Sequence, residues 1–375
     1  MNRKMIAVSV LFIMVALCTG GYYMHVKRTP ISRGMVQAHR PGSTGKTIAT
    51  SQSTTRSSST STSTALPETY YRNKVIVLMY HEVAAVPKDD KALPLGKFEE
   101  QLAMMKADHF HWITMKQYEQ FILHGAHVPD NAVLMTFDDG YESYYTDTYP
   151  VLKKFHVPAT NFLIVNTVGN PHHIGIPKLD WQQVEEMHKN GYDFYNHTFD
   201  SHLYEAVDRT GKRQKPALAS PIYLKDKQRR ETTKEYRQRV TTDLAEANAI
   251  LEQKLGPGED KIVAFPYGAY NKQVLDICRK LGIQVTFTVK SGINAPHQTN
   301  GYRVNAGGID DNPESLIQIM KQGGHSSGTE KGTSLFLIQL GVFITAIVGL
   351  LLLRMIVFAW EDKHGHWIFG KRGQK

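Results

Sequence analysis

Val133-Leu134-Met135-Thr136-Phe137-Asp138-Asp139-Gly140-Tyr141 is an apolar run that ends in two adjacent carboxylates and a glycine. Such a run predicts a buried strand over Ala132–Phe137, with both acids at its C-terminal tip. Inside a strand neighbours point to opposite faces, so the two acids could not share one core. At the tip both can reach a single open site, one holding a cation and the other free to take a proton. Gly140 lets the chain turn sharply into the next helix. The same residues also describe an ordinary Asp-Gly turn, so they mean chemistry only if other parts of the chain supply partners.

Outward from this strand the pattern alternates. Strands are predicted at Val75–Met79, from Pro158 through Val165, at Tyr192–Tyr195, Lys261–Phe265 and Gln284–Thr288. Between them, helical spacing occurs over Phe98–Met105, Met115–Leu123, a Tyr-rich stretch to Phe155, Asp180–Lys189, Lys234–Leu255 and Lys272–Leu281. Repeated strand–helix alternation argues for a parallel barrel or wound sheet, with its active site at the strands' C-terminal ends. The polar, strongly basic Arg209–Arg230 reads as a loop inserted into that pattern, within an insert spanning 203–232.

The ends of the chain differ from its middle. Met5–Met24 is apolar and uncharged, long enough to span a bilayer, with a cleaved signal peptide as the rival reading. Thr47–Thr64 is mostly Ser and Thr and reads as a flexible spacer. Leu335–Leu353 carries no charge and is read as a second span rather than a core helix. The expected organisation is a transmembrane anchor at 1–25, an extracellular spacer at 26–69, a folded domain at 70–325, a transmembrane helix at 334–360 and a cytoplasmic basic tail at 361–375. Arg3 and Lys4 before the first span, and Lys363, Lys371, Arg372 and Lys375 after the second, put both termini in the cytoplasm by the positive-inside rule. The expectation is therefore a multi-pass protein of the cell membrane with its catalytic domain outside.

Composition narrows the chemistry. Lys and Arg number 44 against 35 Asp and Glu, a net charge of +9 that names no partner by itself. External placement disfavours nucleic acid. With Cys18 in an apolar segment and Cys278 as the only other cysteine, no bridge and no cysteine metal site are expected. Any metal must be held by His, Asp or Glu.

Three further strand ends carry suitable groups: Tyr80-His81, Asn196-His197-Thr198-Phe199-Asp200-Ser201-His202, and Phe265-Pro266-Tyr267-Gly268. His197 and His202, five apart, could meet on one ion if the chain turns between them, a turn that Thr198 and Ser201 can support through hydroxyl-to-backbone bonds. Pro266-Tyr267-Gly268 is a turn first and an active-site loop second. A parallel barrel gathers all four ends on one face. One carboxylate and two imidazoles form an open zinc-type shell.

In these motifs the chain resembles the polysaccharide deacetylase family, the NodB-homology carbohydrate esterases. The resemblance rests on Thr136-Phe137-Asp138-Asp139-Gly140, on His197-Thr198 with His202, and on Phe265-Pro266-Tyr267-Gly268-Ala269-Tyr270-Asn271, and it runs from about Lys74 to Gln322. It implies a deformed (β/α) barrel of about seven parallel strands. It also implies a divalent metal, zinc first among the candidates, held by Asp139, His197 and His202. Asp138 would be the general base, the Tyr267 backbone N–H would hold the oxyanion, and Pro266, Tyr267 and Trp181 would line the substrate.

Three departures define the chain within that resemblance. Most members space the histidines by four rather than five; the longer spacing, with Met79-Tyr80-His81-Glu82 at the front, is similar to the branch that deacetylates β-1,6-linked poly-N-acetylglucosamine in biofilms. Ala264 stands where many members have the arginine that tunes the base. No late histidine has a Leu-x-His setting; in the biofilm branch the fold is circularly permuted and that histidine moves to the first strand, so the resemblance implies His81 as the general acid, with a histidine bonding a neighbouring carbonyl as the alternative. The implied substrate is a polymer of N-acetylglucosamine, with peptidoglycan as the alternative glycan and a non-catalytic glycan-binding protein as the alternative class. Exopolysaccharide synthesis machinery is a candidate partner.

Overall fold

The computed structural model describes residues 68–88, 91–307, 312–325, 341, 343 and 345–360. Its centre is a sheet of ten strands. In chain order, β1 is Val75–Tyr80, β2 His111–Ile113, β3 Ala132–Asp138, β4 Thr160–Leu163 and β5 Asp193–Asn196. Later come β6 (Ile262–Ala264), β7 (Val285–Phe287), β8 (Ile293–Asn294), β9 (Asn300–Gly301) and β10 (Val304–Asn305). The spatial path is β8-β1-β3-β4-β5-β6-β7-β9, with β2 on β3 and β10 on β1. Every pair is parallel except β1 with β8. The buried Asn294 stitches the ends of this path together, donating to the carbonyls of Val75 and Tyr302 and accepting from the Tyr302 N–H.

Alternation along the strands builds two cores. Val75, Val77, Ala132, Leu134, Phe162, Ala264, Val285 and Phe287 pack together on one side. Ile76, Leu78, Tyr80, Val133, Met135 and Phe137 pack on the other, against Phe98, Leu102 and Met105 of helix α1, Leu95–Ala107. Helices α2 (Met115–His124), α3 (Tyr149–Phe155), α4 (Trp181–Lys189), α5 (Thr233–Leu255), α6 (Lys272–Lys280) and α7 (Pro313–Lys321) follow. Reciprocal capping boxes start three of them: Thr114 with Gln117, Asp180 with Gln183, and Thr232 with Glu235. A barrel-like α/β fold with a mostly parallel sheet thus stands where the sequence expects a parallel barrel.

The region read as an inserted loop is more ordered than expected. It forms two antiparallel hairpins, Tyr204–Ala206 with Gln214–Pro216 and Tyr223–Leu224 with Arg229–Arg230. Buried Leu218 anchors the connection between them, packing with Tyr236 and Val240 of α5.

The reading of a multi-pass membrane protein with an external catalytic domain and cytoplasmic termini is corrected. Among the described residues no helix is long and apolar enough to cross a membrane. The C-terminal helix, described over 345–360, carries the charged Arg354 within its apolar residues. The anchor expected at 1–25, nearly all of the spacer at 26–69 and the tail at 361–375 lie outside the described residues.

Candidate functional site

Strand β3 decides the site. Its even positions, Ala132 and Leu134, face the core that contains Phe162 and Phe287, so alternation turns Asp138 the same way. Asp139 then takes a left-handed backbone, φ 76°, which breaks the alternation and lets a second acid join the first. Gly140 follows at φ 63°, and a Cβ there would lie 2.8 Å from Leu163 Cδ2, so a side chain would have to adopt a left-handed backbone and displace that leucine. Two more non-glycine residues at strand ends share the left-handed conformation, Thr198 at φ 78° and Tyr267 at φ 57°. Strain of this kind persists only where the surroundings enforce it, and it gathers at functional sites.

Asp139, His197 and His202 converge. Asp139 Oδ1 lies 3.5 Å from His197 Nε2 and 3.1 Å from His202 Nε2. Among the described residues buried Oδ1 nevertheless receives no hydrogen bond, so its lone pair is left pointing into the group. His197 Nδ1 is 2.8 Å from the Ala264 carbonyl, which can only accept; Nδ1 therefore carries the proton and Nε2 offers a lone pair. Burial pushes the His197 imidazole down to about 4, so it is neutral near pH 7. Burial also lowers His202, but the adjacent Asp139 carboxylate outweighs it and the net shift is upward. Asp139 would be raised by burial, yet the two histidines hold it below the usual carboxylate range. Ligand atoms about 2 Å from a tetrahedral ion stand about 3.3 Å from each other, and the two observed separations bracket that value. The three residues can hold a metal, and a three-residue shell leaves a position open as catalytic sites require.

Asp138 has a different partner. Arg303, fully buried, forks onto it with Nη1 to Oδ1 at 2.7 Å and Nη2 to Oδ2 at 2.8 Å. Arg303 Nε donates to the Thr288 carbonyl at 3.0 Å, which fixes the fork. Burial alone would raise the Asp138 carboxyl; the Arg303 charge reverses this and holds it below the usual range. Ala264 therefore does not leave Asp138 without a cation, because Arg303 supplies one from beyond β9. Sequence reasoning missed Arg303. The available signal was indirect: a buried carboxylate needs a counter-charge, and the expected one was absent.

The turn carrying the histidines is held from helix α5. Asp243 accepts from the N–H groups of Phe199 and Asp200 at 3.1 and 2.9 Å and from Ser201 Oγ at 2.8 Å. Ser201 thus bonds a carboxylate rather than backbone, and the buried Thr198 hydroxyl has no partner among the described residues; the expected hydroxyl-to-backbone support is replaced by Asp243. Asp243→Ala strips three acceptor contacts from this turn. The expected result is a 10–100-fold weaker metal affinity, of the order seen when groups supporting a ligand are lost, measured by metal titration, with Asp243→Asn retaining part of it.

The other expected residues divide. His81 lies just past β1, exposed, and close enough for its charge to act on both Asp138 and Asp139. Pro266 is buried at the start of the Pro266–Gly268 turn, and the Tyr267 ring stands 4.7 Å from that of His202. Trp181 is not brought to this group: it begins α4, packs beside Gly169, and has Lys254 over its ring at 5.5 Å. A cavity of about 530 Å³ opens beside the triad, lined by Asp139, Tyr141, Asn166, Lys178, Asp200 and His202 among others. Lys178 Nζ donates to the Asp139 carbonyl at 3.0 Å and sits over the Tyr141 ring; burial lowers it to about 8.

Residues 125–286 match the family model described as polysaccharide deacetylase. Among similar proteins is the poly-beta-1,6-N-acetyl-D-glucosamine N-deacetylase of Escherichia coli K12, 28% identical over 258 residues that make up 65% of this chain and 37% of that protein. The chain therefore spans little more than a third of the length of that relative. A protein of the same name from Staphylococcus epidermidis is 27% identical over 250 residues, 63% of this chain and 78% of that one. Among solved structures, IcaB from Ammonifex degensii has a TM-score of 0.55 at 27% identity, covering 66% of this chain and 96% of its own.

Proposed function

We propose that this protein is a metal-dependent polysaccharide N-deacetylase that removes acetyl groups from the N-acetylglucosamine units of a poly-β-1,6-linked polymer. The observation that carries the reading is the pairing of two differently equipped acids at one strand tip. Asp139 shares its free oxygen with two imidazoles, while Asp138 is clamped as a carboxylate by Arg303. The choice of polymer rests on the names of the Escherichia coli and Staphylococcus epidermidis relatives.

Asp139, His197 and His202 would hold the divalent cation, zinc first among the candidates. When bound, it supplies Lewis-acid polarisation of the acetamide carbonyl and acidifies water. Asp138, kept anionic at neutral pH, accepts the proton of the attacking water. Each of its oxygens keeps a lone pair beyond the one that Arg303 occupies. The Tyr267 backbone N–H, presented by a left-handed turn, stabilises the developing oxyanion. His81 protonates the departing amine as the C–N bond breaks, which releases acetate and leaves glucosamine. A neutral polymer thereby becomes cationic and adheres to anionic surfaces.

His81→Ala should leave metal content intact and lower kcat on the amide by about 10²–10⁴-fold. The loss should be smaller on activated esters, whose leaving groups need no proton. Equal losses on both would instead assign His81 to folding or substrate placement. The polymer is tested by product analysis with poly-β-1,6-N-acetylglucosamine and with peptidoglycan side by side. Acetate and free amines should appear from the first; release from peptidoglycan alone would overturn the assignment of substrate.

A further inference from the structure

We infer that Tyr204 and Tyr267 form a stacking platform for a sugar ring of the polymer next to the unit being deacetylated; the inference rests on the deacetylase reading. Four rings run outward in file. Centroid separations are 4.8 Å from His197 to His202, 4.7 Å from His202 to Tyr267, and 4.6 Å from Tyr267 to Tyr204. The inner end of the file is the triad and the outer end is open: Tyr267 is 42% and Tyr204 50% exposed. Two large aromatic side chains left half in water beside a polar site forgo burial that would otherwise stabilise them. A pyranose ring offers the matching chemistry, with an apolar C–H face to lie on the rings and hydroxyls at its rim that stay in water.

Both rings are held in place. The Tyr267 hydroxyl donates to the His202 carbonyl at 3.3 Å. Tyr204 is paired with Pro216 in the first hairpin of the insert, and the Ala217 N–H closes that hairpin onto the Leu203 carbonyl at 2.9 Å. Tyr236 of α5 in turn donates to the Leu218 carbonyl at 2.8 Å. The hairpin is thereby tied to the helix that also supports the histidine turn through Asp243. A rigid aromatic surface loses little entropy when a ligand covers it. The function of the insert, on this view, is to carry Tyr204 to the end of the file and so to favour a chain of sugars over a single one.

The test compares Tyr204→Ala, Tyr204→Phe and the unaltered protein on a pentamer of N-acetylglucosamine and on the single sugar. Tyr204→Ala should raise KM for the pentamer about 5–10-fold more than KM for the monosaccharide, and Tyr204→Phe should restore most of it. Equal changes in KM on both substrates, or none on the pentamer, would overturn the platform while the deacetylase reading stands. Saturation-transfer NMR of the pentamer with metal-free protein is the independent measurement. It should show ring C–H protons in contact with the unaltered protein and a weakened effect in Tyr204→Ala. If no acetate is released from any N-acetylglucosamine polymer, the deacetylase reading fails. The NMR comparison then decides the platform alone, and equal signals from the two proteins reject it.

Discussion

Asp139→Ala should lose bound metal and, with it, essentially all turnover, whereas the neighbouring Asp138→Asn should keep the metal and still lose turnover. The difference follows from the partners of each acid. Asp139 offers one of three converging atoms that could hold the metal, and its Oδ1 has no hydrogen bond among the described residues. Removing groups that merely support a ligand weakens metal sites by about 10–100-fold, so removing a ligand itself should cost more than about 100-fold in affinity. Asp138 stands 3.9 Å from His197 Nε2 and is taken up by Arg303. Amidation there removes a base, with an expected loss of about 10²–10⁴-fold in kcat. Metal analysis of the two purified variants checks the assignment: loss of metal from Asp138→Asn to the same extent as from Asp139→Ala would mean that the roles are wrongly divided.

Arg303→Met should destabilise the protein and change the sign of its response to pH. In the intact pair Asp138 is held below its ordinary value of 3.8. Its contribution to stability is therefore present above that value and is lost as pH falls through the lower, folded-state value. Without Arg303 the carboxylate is buried and unpaired, which typically costs 3–5 kcal/mol. Burial then dominates and raises the folded-state value above the unfolded one. The variant's carboxyl contributes most below the unfolded value and loses that contribution as pH rises, so it should be relatively more stable in mild acid. Urea unfolding at several pH values measures this, and the acid limb of kcat/KM should move to higher pH in parallel. A variant with unchanged stability and an unmoved acid limb would show that Arg303 does not set the charge of Asp138.

The sequence disclosed what depends on local pattern. An apolar run ending in Asp138 and Asp139 announces a strand tip, and alternating strands and helices announce a parallel sheet; both rest on periodicities of a few residues. His197 and His202 were legible for the same reason, being close in sequence. Arg303 was not, because its contact with Asp138 spans 165 positions and nothing nearby marks a lone arginine as a partner. Asp243 was hidden likewise, one acid among many on a long amphipathic helix. Strands β8, β9 and β10 are two residues each, too short to show any period. Trp181 was named from its position in a motif, and its ring packs beside Gly169 and under Lys254. The hairpins of the basic insert were missed because backbone pairing, not apolar alternation, defines them.

The central claim is that one rim of the barrel joins a metal held by Asp139, His197 and His202 to a base held by Arg303 for amide hydrolysis on N-acetylglucosamine. Acetate released from poly-β-1,6-N-acetylglucosamine tests it most directly, followed in one preparation before chelation, after chelation and after a divalent metal is restored. The account predicts release, its loss on chelation, and its return with the metal in a protein that stayed folded throughout. Release that persists in the chelated protein, or no release from the metal-loaded protein, would contradict it.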